Sequence, residues 1–165
     1  MSRRRRRIIP LPMDIPGTHP GPGPTPGPES GAQDRFVAQA LIEPSAGPGW
    51  CLAWVENVFE STFGWTYRRE TAFADWKATE TWSGRDNIPK GAVVYGTGLN
   101  SNGAGHIGIY LGDGLVRDNQ AQNGAGVVVT STLEQWISWQ TDTIEGRSGY
   151  LGWGWLNNVN LEEVQ

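Results

Sequence analysis

The 165-residue sequence predicts an α+β domain, N-terminal helices packed on an antiparallel β-sheet, behind an extended tail. Three observations carry that reading. Apolar residues recur at helical spacing between Phe36 and Trp82, short β-type runs separated by Gly, Asn and Asp turns follow Pro89, and eight of the eleven prolines lie between Pro10 and Pro28.

The tail comes first in the chain. "MSRRRRR" followed by "IIPLPM" imitates the charged start of a secretion signal, yet the apolar run stops at Pro10, short of the roughly 7–15 residues a signal requires, so no cleavable signal is expected. "HPGPGPTPGP" sustains neither helix nor central strand. Residues 1–29 are therefore predicted to form a disordered spacer with an Arg run and a Pro/Gly-rich segment. They carry a net charge of +3, against −7 for residues 30–165. An acidic folded part lacks the face that neutralises phosphates, so contact with nucleic acid or another anionic polymer falls to the Arg run alone. No apolar stretch approaches the about 20 residues of a membrane span.

Order is expected from Ser30, and residues 30–165 are predicted to form one domain. "SGAQDRFVAQALIEP" sets Phe36, Val37, Ala40 and Leu41 at helical spacing before Pro44. "GPG" breaks the chain, "WCLAWVENVFESTF" opens a second helix with Cys51 in its first turn, and "ETAFADWKATETW" reads as a third. Strands are expected in "GAVVYGTG", "GHIGIYLG", "LVRDNQ", "GVVVTST" and "GYLGWGWL", with a turn or two of helix in "STLEQWISW". A single Cys excludes an internal disulfide, and with two His it cannot complete a four-ligand structural zinc site. No Asp-rich calcium loop is present, so neither metal nor cofactor is expected.

Cys51 has two readings. With Trp54, Val55, Val58 and Phe59 it shares one helix face, as an inert buried thiol would. It also follows a Gly-Pro-Gly break at a helix start, where unpaired N–H groups and the helix dipole favour a thiolate nucleophile. His19 falls in the spacer, so a Cys–His pair in the domain can only use His106. Strand alternation sets His106, Gly108 and Tyr110 on one face, and Gly108 is expected to leave room for the Cys51 helix to approach.

"GWCLAWV", "IPKGAVVYGTG" and "GAGHIGIYLGDG", in that order over residues 34 to 155, resemble the NlpC/P60 and CHAP group of papain-like cysteine peptidases and amidases. The resemblance implies that fold, with Cys51 as nucleophile, His106 as general base and acid, and a polar residue on the next strand as orienter. If "GDG" is a three-residue hairpin loop, Asp118 faces Gly108 on the His106 side; a two-residue Asp-Gly turn brings Asn119 there instead. Relatives place the third residue about twelve positions after the His, which selects Asp118, with Asn119 as runner-up.

The resemblance further implies hydrolysis of a peptidoglycan amide bond, as an N-acetylmuramoyl-L-alanine amidase or an endopeptidase. Trp50, beside Cys51, is the expected substrate-binding residue; Trp65, Trp82, Trp136, Trp153 and Trp155 belong mostly to the core. Without an export signal or a wall-binding repeat, the expected setting is a phage lysin or tail-associated enzyme. It would be carried in the virion or released from the host cytoplasm on lysis, with the tail contacting virion proteins. The competing expectations are a non-catalytic virion or wall-binding protein of this fold and a related thiol acyltransferase.

Overall fold

The structure, a computed structural model, describes residues 17–120 and 126–165. The Arg run and the apolar residues after it lie outside that range. Helix α1 (Gly31–Ala40) starts where Ser30 and Gln33 close a capping box, each side chain bonding the other's backbone N–H. It stops before Leu41, which is left exposed rather than packed with Phe36, Val37 and Ala40. Helix α2 (Cys51–Phe63) ends at Gly64, in the left-handed conformation at φ 82°. Helix α3 (Ala72–Lys77) is capped by Thr71, whose side chain accepts from the Ala74 N–H.

The five expected strand runs contribute β3 (Val93–Gly96), β4 (His106–Gly112), β5 (Leu115–Asn119), β6 (Val128–Thr132) and β9 (Tyr150–Gly154). With β1 (Thr18–His19) and β2 (Thr81–Trp82) they form a seven-stranded sheet in the order β1-β2-β9-β3-β4-β5-β6, antiparallel except for β1–β2. Between β6 and β9 lie helix α4 (Leu133–Ser138) and a small hairpin, β7 (Thr143–Ile144) with β8 (Arg147–Ser148). The α+β class with a largely antiparallel sheet is thus realised.

Residues 17–29 are extended, as their prolines and glycines require, but they lie on the domain. Thr18 pairs with Thr81, and the His19 ring stacks on Trp82 at 5.4 Å while its Nε2 meets Glu80 Oε1 at 2.9 Å. His19 therefore belongs to the sheet edge.

The two faces of the sheet are covered by different helices. Tyr95 pairs with Ile107 and Ile109 with Arg117, so these residues share a face. Tyr95 Oη donates to Asp75 on α3, and Arg117 Nε donates to the Ala40 carbonyl of α1 at 2.8 Å. Phe36 of α1 meets Phe59 of α2 edge-on at 5.8 Å, which completes one helical layer. Trp54, Val55, Val58 and Phe59 of α2 are all essentially inaccessible, each contributing about 1.5–3 kcal/mol of burial. The opposite face carries Val94, Gly108, Val116 and Asp118, and α4 lies over it.

Candidate active site

The site forms where the two layers meet, at the end of the sheet that starts β4. Cys51 is the first residue of α2 and is half-buried. Trp50 precedes it as a cap residue that offers no side-chain bond, so no side chain of its own covers the first-turn N–H groups. His106, the first residue of β4, is buried, is hydrogen-bonded to Asp118 and lines one cavity together with Cys51. The Asp118 bond uses His106 Nε2, which leaves Nδ1 as the other ring nitrogen. Burial opposes charge on His106, but charge on Cys51 and the bonded Asp118 outweigh it and raise its pKa from 6.5 to about 10. Asp118 and the neighbouring Cys51 thus favour the imidazolium form of the ring.

Asp118 reaches this position through a detail of the β4–β5 hairpin. Ile109 pairs with Arg117 and Tyr110 with Val116, the register that places Asp118 on the His106 face. The turn itself is the two-residue Asp113-Gly114, with φ 52° and 75°, and pairs Gly112 with Leu115. A bulge at Leu111 absorbs the one-residue difference. The hairpin thus combines the shorter of the two expected turns with the register of the longer.

Asn119 points to the opposite side. Its Oδ1 accepts from Ser45 Oγ at 2.9 Å and from the Ala46 N–H at 3.1 Å, and its Nδ2 donates to the Gly47 carbonyl at 2.9 Å. Gln120 Nε2 donates to the same carbonyl at 2.8 Å. Asn119 thus holds the loop leading to Cys51 and does not touch His106.

Gly108 does not admit the Cys51 helix. A Cβ there would come 2.6 Å from Val116 Cγ1, and 3.3 Å from both Asp118 Cβ and Trp136 Nε1. The gap is filled by Trp136 of α4, which stacks on His106 at 5.8 Å and 24° and donates from Nε1 to Asp118 Oδ2 at 3.3 Å. By sequence Trp136 is only one of the aromatics expected in the core. Its signal was the glycine on the His106 face, which marks a close approach without naming the approaching element.

No protein-family model matches the chain, and no curated protein matches it. A similar solved structure is an NlpC/P60 family protein from Bacillus cereus, with 15% identity and a TM-score of 0.46 over 79% of this chain and 40% of that one. The chain thus spans about two fifths of that protein's length.

Two cavities flank Cys51. One, of about 200 Å³, is lined by His106, Ser101, Gln120, Trp139 and Gln140, without another ionisable side chain among the described residues. The other, of about 250 Å³, is lined by Trp50, Glu56, Arg68, Arg69 and Glu70. Trp50 is 60% exposed on its rim. Burial raises Glu56 from 4.5 to about 7 despite Arg68 and the Arg69 N–H. Asp75, behind it, is raised by burial from 3.8 to about 6, against the Tyr95 hydrogen bond and Arg69. Trp136 and Trp153 are fully buried and Trp155 nearly so, while Trp65 and Trp82 are half-buried against the core. Among the described residues no three His, Cys, Asp or Glu side chains are grouped to hold a metal, and no helix is long and apolar enough to cross a membrane.

Proposed function

We propose that this protein is a thiol hydrolase that cleaves an amide bond of the peptidoglycan peptide. The observation that carries the reading is the placement of His106, with Nε2 on buried Asp118, in one cavity with Cys51 at the start of α2. A thiol, an imidazole and a carboxylate in that order form an acyl-transfer constellation. The NlpC/P60 and CHAP resemblance in the motifs around Cys51 and His106 supplies the substrate class.

In the first step Cys51 Sγ attacks the amide carbonyl carbon, and the developing oxyanion is met by the Cys51 backbone N–H at the positive end of α2. The C–N bond breaks as His106 transfers its Nδ1 proton to the leaving amine. That proton is available at neutral pH because the imidazolium is held up to about 10. In the second step a water loses a proton to His106 and attacks the thioester. The C–S bond breaks, releasing a carboxylate and restoring the Cys51–His106 pair. Asp118 fixes the ring nitrogen that faces the sulfur throughout. Trp50 and the two cavities bracket the sulfur, giving an extended chain room on both sides of the scissile bond.

A suspension of purified cell walls tests the reading. The protein should clear it, and complete alkylation of Cys51, the chain's only cysteine, should abolish clearing. Undiminished clearing by fully alkylated protein would remove the thiol from the chemistry.

A further inference from the structure

Trp136 makes two contacts with the machinery while staying inaccessible to any substrate. Its ring lies beside the His106 imidazole, and its Nε1–H reaches Asp118 Oδ2, the same oxygen that receives His106 Nε2–H. Asp118 Oδ1 is buried with no hydrogen-bond partner among the described residues. Both donors thus converge on one oxygen position, and tilting the carboxylate plane away from it would weaken both bonds at once.

The surroundings are built to keep the indole there. Helix α4 is only six residues long, yet it opens on a full capping box between Thr132 and Gln135. Gln140 then ties its far end down, donating from Nε2 to the Trp136 carbonyl at 2.8 Å and accepting from the Gly98 N–H at 3.0 Å. Gly108 opens the sheet beneath the indole nitrogen. The helix, the glutamine and the glycine all serve the placement of one side chain.

We propose that Trp136 is a positioning residue of the Cys51–His106–Asp118 site: its indole N–H fixes the plane of the carboxylate that Asp118 offers to His106, and its ring face holds the imidazole plane. The inference rests on the thiol-hydrolase reading for its kinetic consequence and on geometry alone for its spectroscopic one. A hydrogen bond to a carboxylate is among the stronger bonds in a protein. Losing the orienting N–H should therefore lower kcat by about 10-fold to 100-fold. KM should hold, because Trp136 does not touch the substrate cavities.

Trp136→Phe removes the N–H and keeps a ring for the stack. Gly108→Ala acts from the other side, pressing a methyl against the indole nitrogen and Asp118. The readout is the downfield proton NMR signal of His106 Nε2–H, recorded alongside kcat normalised to the folded fraction measured by near-UV circular dichroism. In both variants the signal should move upfield or be lost to exchange, and kcat per folded molecule should fall. An unmoved signal in Trp136→Phe overturns the proposal, as does wild-type kcat per folded molecule with the signal shifted. If the wild type cleaves no wall peptide, the hydrolase reading fails and the resonance alone decides the role of Trp136.

Discussion

Asp118→Asn separates the charge of the orienting residue from its shape. His106 Nε2–H and Trp136 Nε1–H both end on Oδ2, and Oδ1 has no partner among the described residues. An amide that sets its carbonyl oxygen at the Oδ2 position keeps both bonds and the same ring nitrogen facing Cys51. It then buries an NH2 group where no acceptor stands, which costs about 1–3 kcal/mol of stability. Exchanging a charged for a neutral acceptor roughly halves the bond to the imidazolium. That is a loss of about 1–2 kcal/mol, or roughly 5-fold to 30-fold in kcat. A loss near 10⁴, the size produced when a triad holds the wrong tautomer, is not expected. The His106 pKa should fall from about 10, since the charge of Asp118, one of the causes raising it, is gone while burial remains. The assay is kcat on a purified muropeptide per folded molecule, with the His106 ring titrated by carbon NMR. Wild-type kcat with an unmoved titration in Asp118→Asn would refute the reasoning.

Other consequences follow from the same contacts. Asn119→Ala should destabilise the fold by about 1–2 kcal/mol in urea unfolding, because it removes three hydrogen bonds that tie down the partly exposed Ser45–Gly47 loop; a change under about 0.5 kcal/mol would contradict that. Glu56 has a folded pKa near 7 against 4.5, so its ionisation costs stability as pH rises through that window. Glu56→Gln should therefore raise Tm at pH 8 and leave it unchanged at pH 4 in calorimetry, and an unchanged Tm at pH 8 counts against the burial argument. His106 runs the other way, with a folded pKa above 6.5. Its charge stabilises the fold fully below pH 6.5 and ceases to as pH rises through about 10, where the alkaline limb of kcat should also lie. A limb near pH 7 would mean the imidazolium is not held by its neighbours.

Much of this was legible in local pattern. The Cys51 helix, the five main strand runs and the alternation of β4 follow from spacing and turn residues alone. The β4–β5 register was legible only as a pair of alternatives, because the bulge at Leu111 is a tertiary compromise between a tight Asp-Gly turn and the pairing of Val116 and Asp118 beneath α4. The role of Trp136 was hidden because a helix of six residues can cover either face of a sheet, and nothing in "STLEQWISW" says which. The path of residues 17–29 was hidden for a related reason. Composition shows that the segment is extended, but the partner that pairs with Thr18 and stacks on His19 lies more than sixty residues away, at Thr81 and Trp82. Asn119 differs from Asp118 by one position along a strand, and that single step moves it from His106 to the loop leading to Cys51.

The central claim is that Cys51 carries the acyl group of a wall peptide, and digestion of purified peptidoglycan by wild type and Cys51→Ala, read by mass spectrometry, tests it most directly. Wild type should release fragments in which one water has been added across an amide bond, each cut leaving a new amine and a new carboxylate. Cys51→Ala should release none, and the fragment masses identify the bond. Equal release by both proteins, or fragments ending in newly cut glycan with every amide intact, would contradict the account.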